Sequence, residues 1–151
     1  MNVLRIEPSA AQHPDERLIH LYVDDVGLVE LARRAELESV AHPSEAGAYR
    51  ALEAGQVRDV AGWLLGTALT SSPSGGLWSV LLTCVDCGEA GCWGLEGRIH
   101  VMNDHVLWSG FRQPQRLHWT YDELCFRFDR EAYANESLRW LHTSSRAHAK
   151  S

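Results

Sequence analysis

Three cysteines fall within nine residues, Cys84, Cys87 and Cys92, in the run "TCVDCGEAGCW" of a chain that has only four. Cys84 and Cys87 have the two-residue gap with which paired thiolates grip zinc on a turn, and Gly88 and Gly91 ease the backbone around them. Zinc needs a fourth ligand that the run does not supply. It would come from Cys125, His100 or His105, brought in by folding. Reversible thiol chemistry is a second reading, but it calls for a helix N-terminus to lower a thiol pKa, and Gly88 opens a turn instead. The third reading is structural: small residues packed at the neck of a loop, as free cysteines commonly are. The incomplete ligand set favours this one, with no cofactor. Zinc on Cys84, Cys87 and Cys92, or redox use of them, stands as the alternative.

A different chemistry is written in "FRQPQRLHWTY", where Phe111, Arg112, Arg116, His118, Trp119 and Tyr121 join aromatic rings to basic groups. Arginine among aromatic residues is the composition of recognition surfaces, and loops carry binding more often than cores do. The segment is therefore expected to be a binding surface. None of the eight histidines forms a His-x-x-x-His pair. No phosphate-binding glycine loop, Gly-x-Ser-x-Gly or His-Glu-x-x-His occurs, which weighs against an enzyme.

Bulk properties narrow the partners. The net charge of −6 argues against nucleic acid, since phosphate binding needs a basic face. The longest basic run is Arg33-Arg34, too short for an anionic membrane surface. No apolar run approaches the length of a membrane span, and "MNVLRIEPSA" does not read as a signal peptide. A cytoplasmic protein is expected, in a compartment where thiols stay reduced. Its ligand would be a protein or a small molecule. Trp63, Trp78, Trp93 and Trp108 recur every 15 residues, but their flanks do not repeat and no repeat architecture follows.

Residues 2–7 suggest a strand stopped by Pro8. "LIHLYVDD" alternates with apolar residues on both faces, so it belongs inside a sheet. A helix capped by Asp25 carries the stripe Leu28, Leu31, Ala32 and Ala35, and ends before His42-Pro43. A shorter helix is expected over Val57 to Leu65. Strands over 77–84, 95–102 and 105–111 form a meander, the last two joined at Asn103-Asp104, with Glu96, Arg98 and His100 on a polar face. "LCFRF" is a further strand, and Asp129 caps a helix from Arg130 to about His142.

The run from Leu81 to Pro114, with "HWTY" and "FRFDREAY" after it, resembles a family of bacterial hypothetical proteins to which no activity is assigned. The residues that carry the likeness are Cys87, Gly88, Gly91 and Cys92; then Trp108, Phe111, Arg112, Gln113 and Pro114; then Phe128, Asp129 and Tyr133. It covers about the last 70 residues and implies the sheet, but no function. The expectation is thus one α+β domain over residues 1–142: a mostly antiparallel sheet with a central meander, about three helices on one face, and a flexible tail at 143–151. Its expected role is that of a small binding or adaptor-like domain. An open edge of the meander would allow a homodimer.

Overall fold

The computed structural model describes residues 1–10, 17–53, 64, 78–86 and 93–149. In chain order these give β1 (Leu4–Ala10), β2 (Arg17–Val23), β3 (Val26–Gly27) and α1 (Leu28–Glu36). A single 3-10 turn (Pro43–Glu45) leads to β4 (Tyr49–Arg50) and β5 (Leu52–Glu53). Then come β6 (Ser79–Cys84), β7 (Leu95–Val101), β8 (His105–Arg112), β9 (Phe126–Asp129) and α2 (Arg130–Ala149). The protein is α+β with antiparallel sheets, but the described residues hold two α-helices, not three. The helix expected over Val57 to Leu65 lies outside them, except that Leu64 is fully buried.

There are two sheets where one was expected. In the first, β2 pairs with β1 on one edge and with β3 and β5 on the other, which places "LIHLYV" inside the sheet as its two-faced pattern required. The second runs β4-β6-β7-β8-β9, with the expected meander at its centre. Residues 49–53 cross from one sheet to the other, since Tyr49 and Arg50 pair with β6 while Leu52 and Glu53 pair with β2. At the far side Asn2 bridges Phe128 of β9. A circuit can be traced from β1-β2-β5, through Ala51 along the chain, to β4-β6-β7-β8-β9, and by the single Asn2–Phe128 bridge back to the residues that lead into β1. One apolar core fills the inside, drawing on both sheets and both helices.

Three local expectations are corrected. Pro8 does not stop β1 but pairs with Ile19 within it. The Ile6 N–H points away from β2, donating to Glu136, so Pro8, two residues on, has its missing donor on that same outer side. Asp25 does not cap α1. Asp24 and Asp25 have φ of +52° and +66°, the two left-handed centres of a tight turn pairing Val23 with Val26, and Gly27 is the cap residue. Asp24 stabilises that turn by accepting from the Asn2 amide and the Val3 N–H, both at 2.7 Å. The third correction concerns β7, whose polar face is not solvated throughout. Glu96 is buried beside a register shift between Glu96 and Arg98, and Val101, on the opposite face, is exposed.

Other features match. Leu28 and Ala32 of α1 are buried, and Glu30 pairs with Arg33 at 2.6 Å and Arg34 at 3.2 Å, which holds the Glu30 carboxyl down to about 2. Leu124, Phe126 and Phe128 are buried while Cys125 and Arg127 are exposed. The Asp129 carboxylate accepts the Ala132 N–H at 2.9 Å, the cap expected for α2. That helix continues to Ala149, past His142, so residues 143–149 are helical.

His20 yields a prediction. It sits half-buried on β2, its Nε2 buried without a hydrogen-bond partner, and burial pushes its pKa below the ordinary value. The unfolded chain then takes up a proton on His20 before the folded one does. Stability is expected to be constant above about pH 6.5 and to fall as the pH drops below it. Urea midpoints at pH 7.5 and 5.5 check this, because the part of the difference due to His20 disappears in His20→Gln.

Candidate binding site

The cysteine loop is placed only in part. Cys84 ends β6, buried, with Tyr49 opposite it. Cys87, Gly88, Gly91 and Cys92 lie outside the described residues. The remaining candidate ligands can be placed. Leu82 pairs with Leu95, and His100 lies five residues further along β7, about 17 Å away at ~3.3 Å per residue. His105 stands at that same far end, its Nδ1 2.6 Å from the Asp104 carboxylate. Cys125 is exposed, three strands across the sheet from β6. The fold thus carries all three away from Cys84, and no group of three or more His, Cys, Asp or Glu among the described residues is placed to hold a metal.

The segment after β8 sorts its side chains by chemistry. Its rings turn inward: Phe111 packs edge-on against Phe126, and Trp119 edge-on against Trp93, with centroids 5.9 and 5.5 Å apart. Phe111, Trp119 and Tyr121 are buried. The basic groups stay near the surface. Arg112 donates from Nε to the buried Glu96 at 2.9 Å and lies 3.5 Å over the Trp78 ring, which Arg98 also approaches to 4.1 Å. Trp78 is fixed by its own indole N–H on the Gly110 carbonyl at 3.2 Å. Arg116 is exposed and lies 5.1 Å over the Trp93 ring, beside exposed Leu117 and His118. Of the six residues expected to form a surface, Arg112, Arg116 and His118 keep access to solvent, and their rigid backing comes from Trp78 and Trp93. Those two tryptophans were not expected to take part. Their signal in the sequence is position alone, immediately ahead of β6 and β7.

Beneath this segment lies a buried acid. Glu36 is fully inaccessible and accepts hydrogen bonds from the hydroxyls of Tyr49 and Tyr121 and, at 2.8 Å, from the Gly47 N–H. Gln113 joins the cluster, donating to the Tyr49 hydroxyl at 3.3 Å and accepting the Gln115 N–H at 2.8 Å. Burial first, and then the Glu36 carboxylate, pushes both tyrosine pKa values far upward; Tyr49 raises Tyr121 further, while the bonds from Tyr121 and Gln113 only partly offset the rise at Tyr49, so both remain donors. Gly47 is required here: its φ is +71°, and a Cβ would come within 2.6 Å of the Arg33 Cβ. The cluster ties α1, the residues ahead of β4 and the 113–121 loop together. Its role is to position the loop. A clue existed in the sequence, because Glu36 follows Leu28 and Ala32 at four-residue steps and so lies on the buried stripe of α1.

The chain matches no protein-family model, no curated protein and no solved structure. Among the described residues behind the resemblance noted above, Trp108, Gln113, Phe128 and Tyr133 are all at most 1% exposed. Among the described residues no helix is long and apolar enough to cross a membrane.

Proposed function

We propose that this is a small cytoplasmic binding domain without catalytic activity, recognising a carboxylate-bearing protein segment or small molecule through Arg112, Arg116 and His118. The observation that supports it is the stacking of Arg98 and Arg112 on Trp78 and of Arg116 on Trp93. A guanidinium laid on a ring is pre-oriented and weakly hydrated, so little entropy is lost when its edge meets a carboxylate. The overall charge of −6 makes a basic site of this kind a local exception and disfavours nucleic acid. The buried aromatic rings of the segment hold its backbone in place, and the Glu36 cluster fixes Tyr121 from below.

The test is a titration of tryptophan fluorescence with glutamate-rich, lysine-rich and uncharged peptides of equal length. Binding of the acidic peptide is expected to weaken about tenfold in Arg116→Ala, one charge-assisted contact of roughly 1.4 kcal/mol, and to weaken with salt. Equal binding of all three peptides would remove the reading. So would stoichiometric zinc lost together with folding in Cys87→Ser, or turnover abolished by changing one pocket residue.

A further inference from the structure

The outer edge of β1 is held by side chains where the rest of the circuit is held by ladders. Even-numbered residues of this strand turn their peptide groups away from β2, as the Ile6 N–H shows by donating to Glu136 Oε2 at 2.7 Å. The Ile6 carbonyl on the same side accepts from Arg139 at 2.9 Å. Glu136 and Arg139, one turn apart on α2, are paired with each other at 2.6 and 2.7 Å. Together they offer an acceptor and a donor to the two backbone groups of one residue, as a neighbouring strand would. Ahead of them the Asn2 N–H donates to the Arg127 carbonyl at 2.8 Å, and beyond them Pro8 has no donor to offer. Between these anchors Leu4 lines an open groove of about 660 Å³ that is walled by Phe128, Ala132 and Tyr133.

We infer that the Glu136–Arg139 pair is a latch over a strand-pairing surface, and that the partner this surface fits is β1 of a second copy of the chain. The charge pattern argues for a copy. An antiparallel pairing centred on Ile6 opposite Ile6 uses the outward N–H and C=O of that residue twice. It sets Arg5 against Glu7 of the other copy, and Glu7 against its Arg5. Within one chain these two already pair at 2.9 Å from the same face of the strand. Moving the centre one residue back, to Arg5, would oppose arginine to arginine, which is unfavourable across a sheet. Pro8 falls opposite Leu4 and ends the ladder, so the contact is short and reversible. Among the described residues β4 pairs with Thr83 and Cys84 of β6 and Asn2 bridges Phe128 of β9, and the edge that offers this charge pattern to a copy is that of β1.

Sedimentation velocity over a range of concentrations tests this. The wild-type chain is expected to sediment as a monomer, and Glu136→Ala/Arg139→Ala to shift towards twice that mass. Adding Glu7→Lys to the opened variant should return it to monomer, and adding Arg5→Glu as well should restore the dimer. Amide exchange at Ile6 should be slow in the wild type and, in the opened variant, slow only at high concentration. If the double variant does not fold, Glu136→Ala alone is read in the same way, since it frees the Ile6 N–H and removes the carboxylate that holds Arg139 beside the Ile6 carbonyl. A folded latch variant that stays monomeric overturns the inference. So does association indifferent to Glu7→Lys, and so does a wild-type chain that is already dimeric.

Discussion

Glu36→Ala is expected to lower stability by about 3–5 kcal/mol, a fall in melting midpoint of about 10 °C or more for a domain of this size. The carboxylate accepts from two hydroxyls and one backbone N–H in a place with no access to solvent. Removing it orphans three donors, each worth roughly 1–3 kcal/mol when buried unpaired. The sum is reduced because the hydroxyls can turn towards each other; their oxygens are already 3.4 Å apart. Tyr121→Phe removes one partner and leaves the acceptor satisfied by the others, so it should cost only about 1 kcal/mol. Glu36→Gln keeps the volume and one acceptor oxygen, and its N–H₂ meets a hydroxyl that can accept, so it should fall between the two. Urea unfolding of the three variants gives the order. An alanine variant no worse than Tyr121→Phe would mean that the cluster does not hold the loop.

The same cluster shows what could and could not be read from the sequence. Alternation located β2 and β8 to within a few residues, because one buried face imposes a period of two, whereas β6, buried at all six positions, was legible as a strand-like apolar run. β4 and β5 have two residues each, too few for any period, so the crossing that closes the circuit left no pattern in "SEAGAYRALEAG". Pro8 was misplaced because the rule that proline ends strands holds for inner strands, and whether β1 is an edge depends on tertiary pairing. Asp24-Asp25 fell between two local signals, turn and helix cap, and the left-handed backbone of both residues decided for the turn. In "FRQPQRLHWTY" the composition pointed to aromatic and basic groups together. It could not say that Phe111, Trp119 and Tyr121 turn inward while Arg112, Arg116 and His118 stay accessible. That division is set by partners distant in sequence, such as Phe126 and Glu36.

The second large effect belongs to Trp108, where β8, β9 and α2 meet. It is fully buried, edge-on to Phe128 and Tyr133 with centroids 5.0 and 6.1 Å away. Its indole N–H donates to the Tyr133 hydroxyl at 3.0 Å, and that hydroxyl donates onward to the Leu64 carbonyl. Trp108→Ala is expected to cost about 4 kcal/mol, from the lost ring and the cavity it leaves. Packing alone would account for that figure, so the hydrogen bond needs a separate test. Trp108→Phe keeps an aromatic edge contact while removing the donor, and should cost about 2 kcal/mol. Tyr133→Phe strands both the indole N–H and the Leu64 carbonyl, and should cost about 2–3 kcal/mol. In the Trp108→Phe background only the carbonyl remains to be stranded, so the same tyrosine change should cost about 1 kcal/mol less. Urea unfolding of the four chains closes the cycle. Costs that add within ~0.5 kcal/mol would assign the site to packing alone. Coupling near 1 kcal/mol would show that the hydrogen-bonded chain from Trp108 through Tyr133 to Leu64 is what fixes α2 on the sheet. Because Glu136 and Arg139 sit on that same helix, its attachment also sets how firmly the outer edge of β1 is covered.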